Sequence, residues 1–269
     1  MRAIYVHRPD VVLGLGGYVS FPGGMMASLL GRPLVLHEQN SVAGLANRVL
    51  AGIADRVLAA FPGVLKKARV VGNPVRREIT ETAAPEIRYR ARSGPLRVLL
   101  VGGSLGAQAL NEVMPAAVSL IPDTERPLVT HQAGSRHIDR LRGLYRAAGV
   151  TADTVAFIDD MAAAYRDADI VICRAGALTV SELSAAGVAS VLVPYPHAVD
   201  DHQTGNARQL ADAGAAVLLP QAELNAQRLA ALIAGFSRET LLAMAKKARS
   251  LAKPDATEQV ALACMDLAA

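Results

Sequence analysis

The chain has no tryptophan, only 4% aromatic residues and two cysteines in 269 positions. Without stacking side chains or a basic run, the sequence argues against a nucleic-acid surface, although its formal charge is +4. Two cysteines far apart, Cys173 and Cys264, supply neither a disulfide framework nor a metal-ligand spacing, and both read as reduced core residues of a cytosolic protein. Apolar residues make up 52% of the chain, yet no run reaches the length that crosses a bilayer. Arg2, His7, Arg8 and Asp10 interrupt the N-terminus and argue against a secretory signal. The remaining charge excess suits anionic small molecules or an anionic membrane surface.

What the chain does have is a repeated alternation of short apolar runs and helix-like segments. The clearest unit is Ile170–Gly187, where a β-branched run ending at Cys173 turns through Arg174-Ala175-Gly176 into a helix over 177–186, stopped by Gly187. A helix entered through small residues leaves backbone N–H groups free for an anion such as a phosphate. Thr179 and Ser181 add hydroxyls, and Glu182 adds a carboxylate able to accept from a ribose diol. The plainer alternative is an ordinary βα unit with Glu182 on a solvated face.

Before it, strands are predicted at 11–13, 34–36, 56–60, 97–101, 128–131 and 155–158, and after it at 191–193 and 216–219. Helices are predicted from Pro22 to Gly31, at 45–53, 107–121, 138–148, around 209–213 and after Pro254. Residues 77–95 are polar and punctuated by proline and glycine, which reads as a linker. Strands alternating with helices on both sides of it indicate two parallel α/β sheets of Rossmann type, with ligands beyond the carboxyl ends of the strands. We place one unit at 1–76, with 255–269 returning to it, and the other at 77–254.

Several polar groups fall at those strand ends. Gly102-Gly103-Ser104-Leu105-Gly106 allows close backbone approach, and Ser104 can donate to a phosphate oxygen; any tight strand-to-helix turn has the same composition. His37-Glu38-Gln39-Asn40 is dense enough for proton transfer, or for a loop in which His37 or Glu38 bonds backbone. His197, Asp200, Asp201 and His202 lack a recognised metal spacing, so hydrogen bonding to a sugar by Gln203 and its neighbours, or a polar surface loop, is the better reading. Arg76 follows the stiff Asn73-Pro74 pair and suits a phosphate or a solvated hinge. No G-x-G-x-x-G with a following acid occurs where a first strand would put it, which argues against a nicotinamide cofactor.

The ordered set GGYVSFPGG (16–24), HEQNSVAGLANR (37–48), VVGNPVR (70–76), VGGSLGAQALN (101–111), FIDDMAAAY (157–165), CRAGALTVSE (173–182) and PHAVDDHQTGNA (197–207) resembles the MurG family of bacterial N-acetylglucosamine transferases. The resemblance covers essentially the whole chain. It implies a GT-B fold, two Rossmann-like domains facing a cleft, with an acceptor domain first and a UDP-GlcNAc domain second. It implies inverting transfer of GlcNAc from UDP-GlcNAc to lipid I, giving lipid II in peptidoglycan synthesis, with no metal or cofactor, at the cytoplasmic face of the inner membrane. On matching positions it implies uracil contact through the backbone of Ile158 and ribose contact through Glu182. Ala177, Leu178, Thr179, Val180, Ser181 and Ser104 would hold the diphosphate, with Arg76 close by. Asn40 and Gln203 would hold GlcNAc, while Gly16, Gly17 and Tyr18 would line the acceptor side with His37 and Glu38 as candidate catalytic groups. Met25, Met26, Leu29 and Leu30 beside Arg32 would give peripheral contact with an anionic membrane; the alternative is that they are core.

Two departures stand out. Phe21 replaces an expected glycine. The family also begins with further βα structure carrying a GGTGGH-type loop whose His is its favoured base. The expectation is therefore that this polypeptide starts partway into the acceptor domain and turns over poorly. Two other readings follow, a non-catalytic UDP-GlcNAc-binding fragment or a relative of the UDP-GlcNAc 2-epimerases.

Overall fold

A computed structural model of the chain describes residues 2–103 and 107–268. Its strands form two all-parallel sheets. The first has four strands in sequence order, β1 (Val12–Gly14), β2 (Leu34–Glu38), β3 (Arg56–Ala59) and β4 (Arg69–Val70). The second has six, β5 (Arg97–Val101), β6 (Leu128–Gln132), β7 (Asp153–Val155), β8 (Ile170–Cys173), β9 (Ala189–Leu192) and β10 (Ala216–Leu218), in the order β10-β9-β8-β5-β6-β7. Sequence order reverses direction between β5 and β8, the switch point at which such sheets open a crevice. This is the two-sheet architecture the alternation predicts.

Helices cover the faces. With the first sheet run α1 (Arg2–His7), α2 (Ser20–Leu29) and α3 (Leu45–Leu50). Then come α4 (Arg77–Thr80), α5 (Pro85–Arg90), α6 (Gln108–Ser119), α7 (Ile138–Ala147), α8 (Met161–Asp167), α9 (Ala177–Ala186), α10 (His202–Ala211), α11 (Ala226–Ala234), α12 (Arg238–Ser250) and α13 (Ala256–Ala268).

Side chains alternate across each strand, so every central strand feeds two cores. On β2, Leu34 and Leu36 pack with Leu50 of α3, while Val35 packs on the other face with Leu58, Val71 and, from α13, Val260 and Ala263. The last helix therefore returns to the first sheet. On β8, Ile170 and Ile172 join one core and Val171 and Cys173 the other. All four are buried, the continuous apolar run of a strand covered on both faces. Each fully buried aliphatic side chain of this kind contributes roughly 2 kcal/mol.

Three sequence expectations change. Residues 77–95 are not a bare linker: α4 and α5 lie within them and are built onto the second unit. Arg88 is buried, and its guanidinium donates to the carbonyls of Tyr165 (3.1 Å) and Ala186 (2.8 Å). Their polar composition hid this, because an arginine that caps helix ends reads the same as a solvated one. The strand over 155–158 ends at Val155, so Ile158 lies in the following turn. The polar stretch after His197 becomes helical from His202 onward.

Candidate active site

Helix α9 follows β8 through Arg174-Ala175-Gly176. Its N-cap is Gly176 in extended conformation, with no side-chain cap, and its first internal bond runs from Val180 N–H to the Gly176 carbonyl. The amides of Ala177, Leu178 and Thr179 thus face out of the helix, where the dipole favours negative charge. Val180 is core and offers backbone alone; Leu178 is exposed. Ser181 Oγ donates back to the Ala177 carbonyl at 3.0 Å and accepts from Asn73 Nδ2 at 3.0 Å. The helix ends at Gly187 with φ +62°, a conformation suited to glycine, and a Cβ there would meet Pro85 Cγ at 2.9 Å.

Glu182 sits about one turn beyond these amides. The phenol of Tyr165 on α8 donates to its Oε2 at 3.0 Å, and Arg76 Nη2 reaches its Oε1 at 3.3 Å. Arg76 comes from the 71–76 connection between the units and is exposed, so the pair bridges the connection and α9 at the cleft edge. Ile158 is half-buried just before Asp160, whose carboxylate caps α8 by accepting from Ala163 N–H at 2.8 Å. Gln132, at the end of β6, ties this turn to the glycine loop. Its amide donates to the carbonyls of Ala156 (3.1 Å) and Gly103 (3.0 Å) and its oxygen accepts from Gly103 N–H (3.1 Å). Ser104 lies outside the described residues.

Across the cleft, Gly16, Gly17, Tyr18, Phe21, Glu38, Gln39 and Asn40 line a cavity of about 720 Å³, closed on one side by Val199 of the second unit. Phe21, the departure noted above, is part of that wall. The proton-transfer expectation for His37 and Glu38 needs correction. His37 is fully buried: its Nε2 donates to the Gly72 carbonyl at 2.8 Å and its Nδ1 accepts from the Gln39 amide at 3.1 Å. Burial holds its pKa below the usual value, so it is a neutral strut. Glu38 is buried as well and accepts from Asn47 Nδ2 (2.7 Å) and Asn40 N–H (2.9 Å), which shapes the loop carrying Asn40.

Two buried asparagines join the units. Asn206 on α10 accepts from Ser41 N–H at 2.8 Å and donates to Ala175 O at 3.1 Å and Asn40 Oδ1 at 3.3 Å. Asn73 donates to Gln39 O at 3.1 Å as well as to Ser181. Between them Gly205 meets Ser41 so closely that a Cβ would stand 2.4 Å from its Oγ. Gln203, one turn away, lines a separate cavity of about 680 Å³ with Arg174, Tyr195 and His197. Its side-chain oxygen accepts from Tyr195 N–H at 2.9 Å, which leaves its NH₂ to donate. Arg174, read from sequence as a turn residue, holds that loop through the carbonyls of Val193 (3.2 Å) and Pro194 (3.1 Å).

Glu182 and Arg76 thus meet beside the α9 amides, Arg76 also lines a hollow with Asp159 and Asp160, and Asn40 lines the separate cavity beside Gly16, Gly17 and Tyr18. Sequence reasoning missed Tyr165, Gln132 and the bridging part of Asn73. The one available signal was a tyrosine in an otherwise alanine-rich turn, since a buried hydroxyl needs a partner. Among the described residues no group of His, Cys, Asp and Glu is arranged to hold a metal ion, and no helix is long and apolar enough to cross a membrane.

Comparison with known proteins agrees with the two-sheet fold. The glycosyltransferase family 28 N-terminal domain matches residues 1–59 and its C-terminal domain matches 97–260. A UDP-N-acetylglucosamine–N-acetylmuramyl-(pentapeptide) pyrophosphoryl-undecaprenol N-acetylglucosamine transferase of an Azoarcus species is 68% identical over 261 residues, 97% of this chain and 73% of that protein. The protein of the same name from Aromatoleum aromaticum is 65% identical over 262 residues, again 97% and 73%. The crystal structure of Acinetobacter baumannii MurG superposes with a TM-score of 0.89 at 42% identity, covering 98% of this chain and 76% of that one. With both family domains matched in order on two facing parallel sheets, the chain belongs to glycosyltransferase family 28 and, within it, to the MurG group of GT-B N-acetylglucosamine transferases.

Proposed function

We propose that this chain moves N-acetylglucosamine from UDP-GlcNAc to the muramyl 4-hydroxyl of lipid I, yielding lipid II and UDP. The observation that carries the donor half is the Glu182 carboxylate set just beyond the free amides of α9, with Arg76 alongside. In this reading the 77–254 unit takes the donor. Glu182 accepts from the ribose hydroxyls, the backbone of Ile158 reads uracil, and the amides of Ala177, Leu178 and Thr179 take the diphosphate. Arg76 leaves Glu182 for the phosphates, and Asn40 and Gln203 hold the sugar. The 1–76 unit, joined by 255–269, takes the acceptor in the cavity lined by Gly16, Gly17 and Tyr18.

The chemistry follows from charge. The acceptor oxygen forms a bond to the anomeric carbon from the face opposite UDP, the hydroxyl passes its proton to solvent water, and the bond from the anomeric carbon to the β-phosphate oxygen breaks with inversion, the electron pair leaving on UDP. Negative charge grows on the departing phosphate. Fixed amide dipoles and a guanidinium meet it without reorganising, the kind of preorganised donor set worth several kcal/mol to a transition state. His37 and Glu38 hold the acceptor wall in shape.

The membrane side of the proposal rests on the first unit. Leu29 and Leu30 are exposed at the end of α2, with Tyr18 and Val19 exposed at its start. With Arg32 nearby, this surface suits peripheral contact with the anionic cytoplasmic leaflet of the inner membrane. Sedimentation with vesicles containing anionic lipid should carry the protein down, and L29E should leave it in solution.

Titrating UDP-GlcNAc into the protein and into E182A tests the donor half. We expect affinity to fall about tenfold to a hundredfold, the worth of bonds to a charged acceptor. Unchanged affinity would overturn the reading, and chromatography of the lipid product from paired substrates tests the transfer.

A further inference from the structure

We propose that Tyr165 is a positioning residue whose phenol locks Glu182 in place and so makes the donor site selective for nucleotides with a free ribose diol. The inference rests on the reading of Glu182 as the ribose carboxylate.

Glutamate is a flexible side chain, and a carboxylate at a cleft edge has many orientations. Only one presents both oxygens to two vicinal hydroxyls. Here Oε2 is held from within the protein, by the Tyr165 hydroxyl at 3.0 Å, and Oε1 is held from the cleft edge by Arg76 at 3.3 Å. The two restraints differ in kind. Tyr165 is 1% exposed, wedged among the buried side chains shared by β8 and α9, whereas Arg76 is exposed and free to move to an arriving phosphate. A carboxylate oxygen has two lone pairs. Oε2 can therefore keep the phenol and still accept a ribose hydroxyl, while Oε1 exchanges Arg76 for the second hydroxyl.

The tyrosine is anchored at its backbone as well. Arg88 donates to its carbonyl at 3.1 Å, and the helix that carries it is capped by Asp160, two residues after Ile158. Base contact and ribose contact thereby sit on one rigid piece. Burial, with the Glu182 charge added, pushes the phenol well above its ordinary pKa, so it stays an O–H donor through neutral and mildly alkaline pH. Packing alone does not call for this hydroxyl, because phenylalanine would fill the same space. A buried hydroxyl aimed at a carboxylate that also meets Arg76 does call for a role.

The test is calorimetric titration of UDP and of 2′,3′-dideoxy-UDP into the wild-type chain, Y165F, E182A and the double variant, with a melting curve for each. The proposal expects Y165F to melt like wild type and to lose about tenfold in UDP affinity, while its affinity for the dideoxy nucleotide stays within about twofold. It also expects the double variant to bind UDP no more weakly than E182A, because the phenol acts only through the carboxylate. Y165F binding UDP like wild type, losing both nucleotides equally, or adding its full loss to that of E182A would overturn the part given to Tyr165 and leave the ribose reading standing. E182A binding UDP as tightly as wild type would instead overturn the ribose reading, and this inference with it.

Discussion

The two units build their halves of the cleft differently. The six-stranded unit is self-sufficient. Gln132, Tyr165 and Arg174 each tie its own loops to one another, and its cores run unbroken along both faces of the sheet. The four-stranded unit has a core of three leucines on one face, and the other face is completed by a helix from the far end of the chain. Its loop after β2 is held by Glu38 from its own strand, by Asn73 from the connection between the units and by Asn206 from the other unit. In the proposed reading the donor site, made of a helix mouth and neighbouring strand ends, is preformed, while the shape of the acceptor wall depends on how the two units meet.

The strongest way to break this comparison is at Gly205. A valine there must push against Ser41, so G205V should lower the rate of GlcNAc transfer about a hundredfold, the usual result of an ångström-scale misplacement between reactants. UDP affinity should stay within about twofold of wild type, because the donor groups lie within one unit and its connection. Equal loss of binding would show that the donor site is not preformed.

Next in size is the smaller core. L36A removes a fully buried side chain and should cost about 2–5 kcal/mol. Calorimetry should show it as an earlier melting transition for the four-stranded unit, with the six-stranded one unmoved. A single transition shifted as a whole would mean that the units unfold together.

A smaller effect is expected at Arg76. R76Q should weaken UDP binding about tenfold at low salt, and the difference should shrink as salt screens an exposed charge. A salt-independent loss would place Arg76 in a structural part.

A further effect comes with pH. His37 in the first unit and His131 in the second are both buried neutral, His131 pushed down to about 3 by burial between Tyr145 and Asn111. Unfolding lets each take up a proton below its ordinary value near 6.5, so acidification favours the unfolded state and stability should fall as pH drops from about 6.5 toward 3. Melting temperatures at pH 7 and pH 5 should differ in that direction, and H131Q should flatten the dependence of the six-stranded unit. A steeper slope in H131Q would contradict the burial argument.

Much of this was legible beforehand because the signals are local. A β-branched run covered on both faces has to read as continuous apolar sequence, as Ile170–Cys173 does. A helix entered through Gly176 has to leave its first amides free, and both are visible in a few consecutive letters. The expectations that changed share one cause: a polar residue carries no mark of which partner satisfies it. Residues 77–95 read as a polar linker, yet Arg88 within them is buried on helix-end carbonyls. His37 looked reactive and is a strut against Gly72, a residue 35 positions away.

What the order of amino acids settled alone was the alternation of strands and helices, the doubled parallel architecture and the carboxylate following a helix mouth. These depend on side-chain period and backbone chemistry within one turn or strand. What only the folded chain decided was which polar groups meet: Tyr165 on Glu182, Asn206 on Ser41, the last helix on the first sheet. A hydrogen bond is set by separations of about 3 Å. Such separations between distant residues exist only once the cores have brought their elements together.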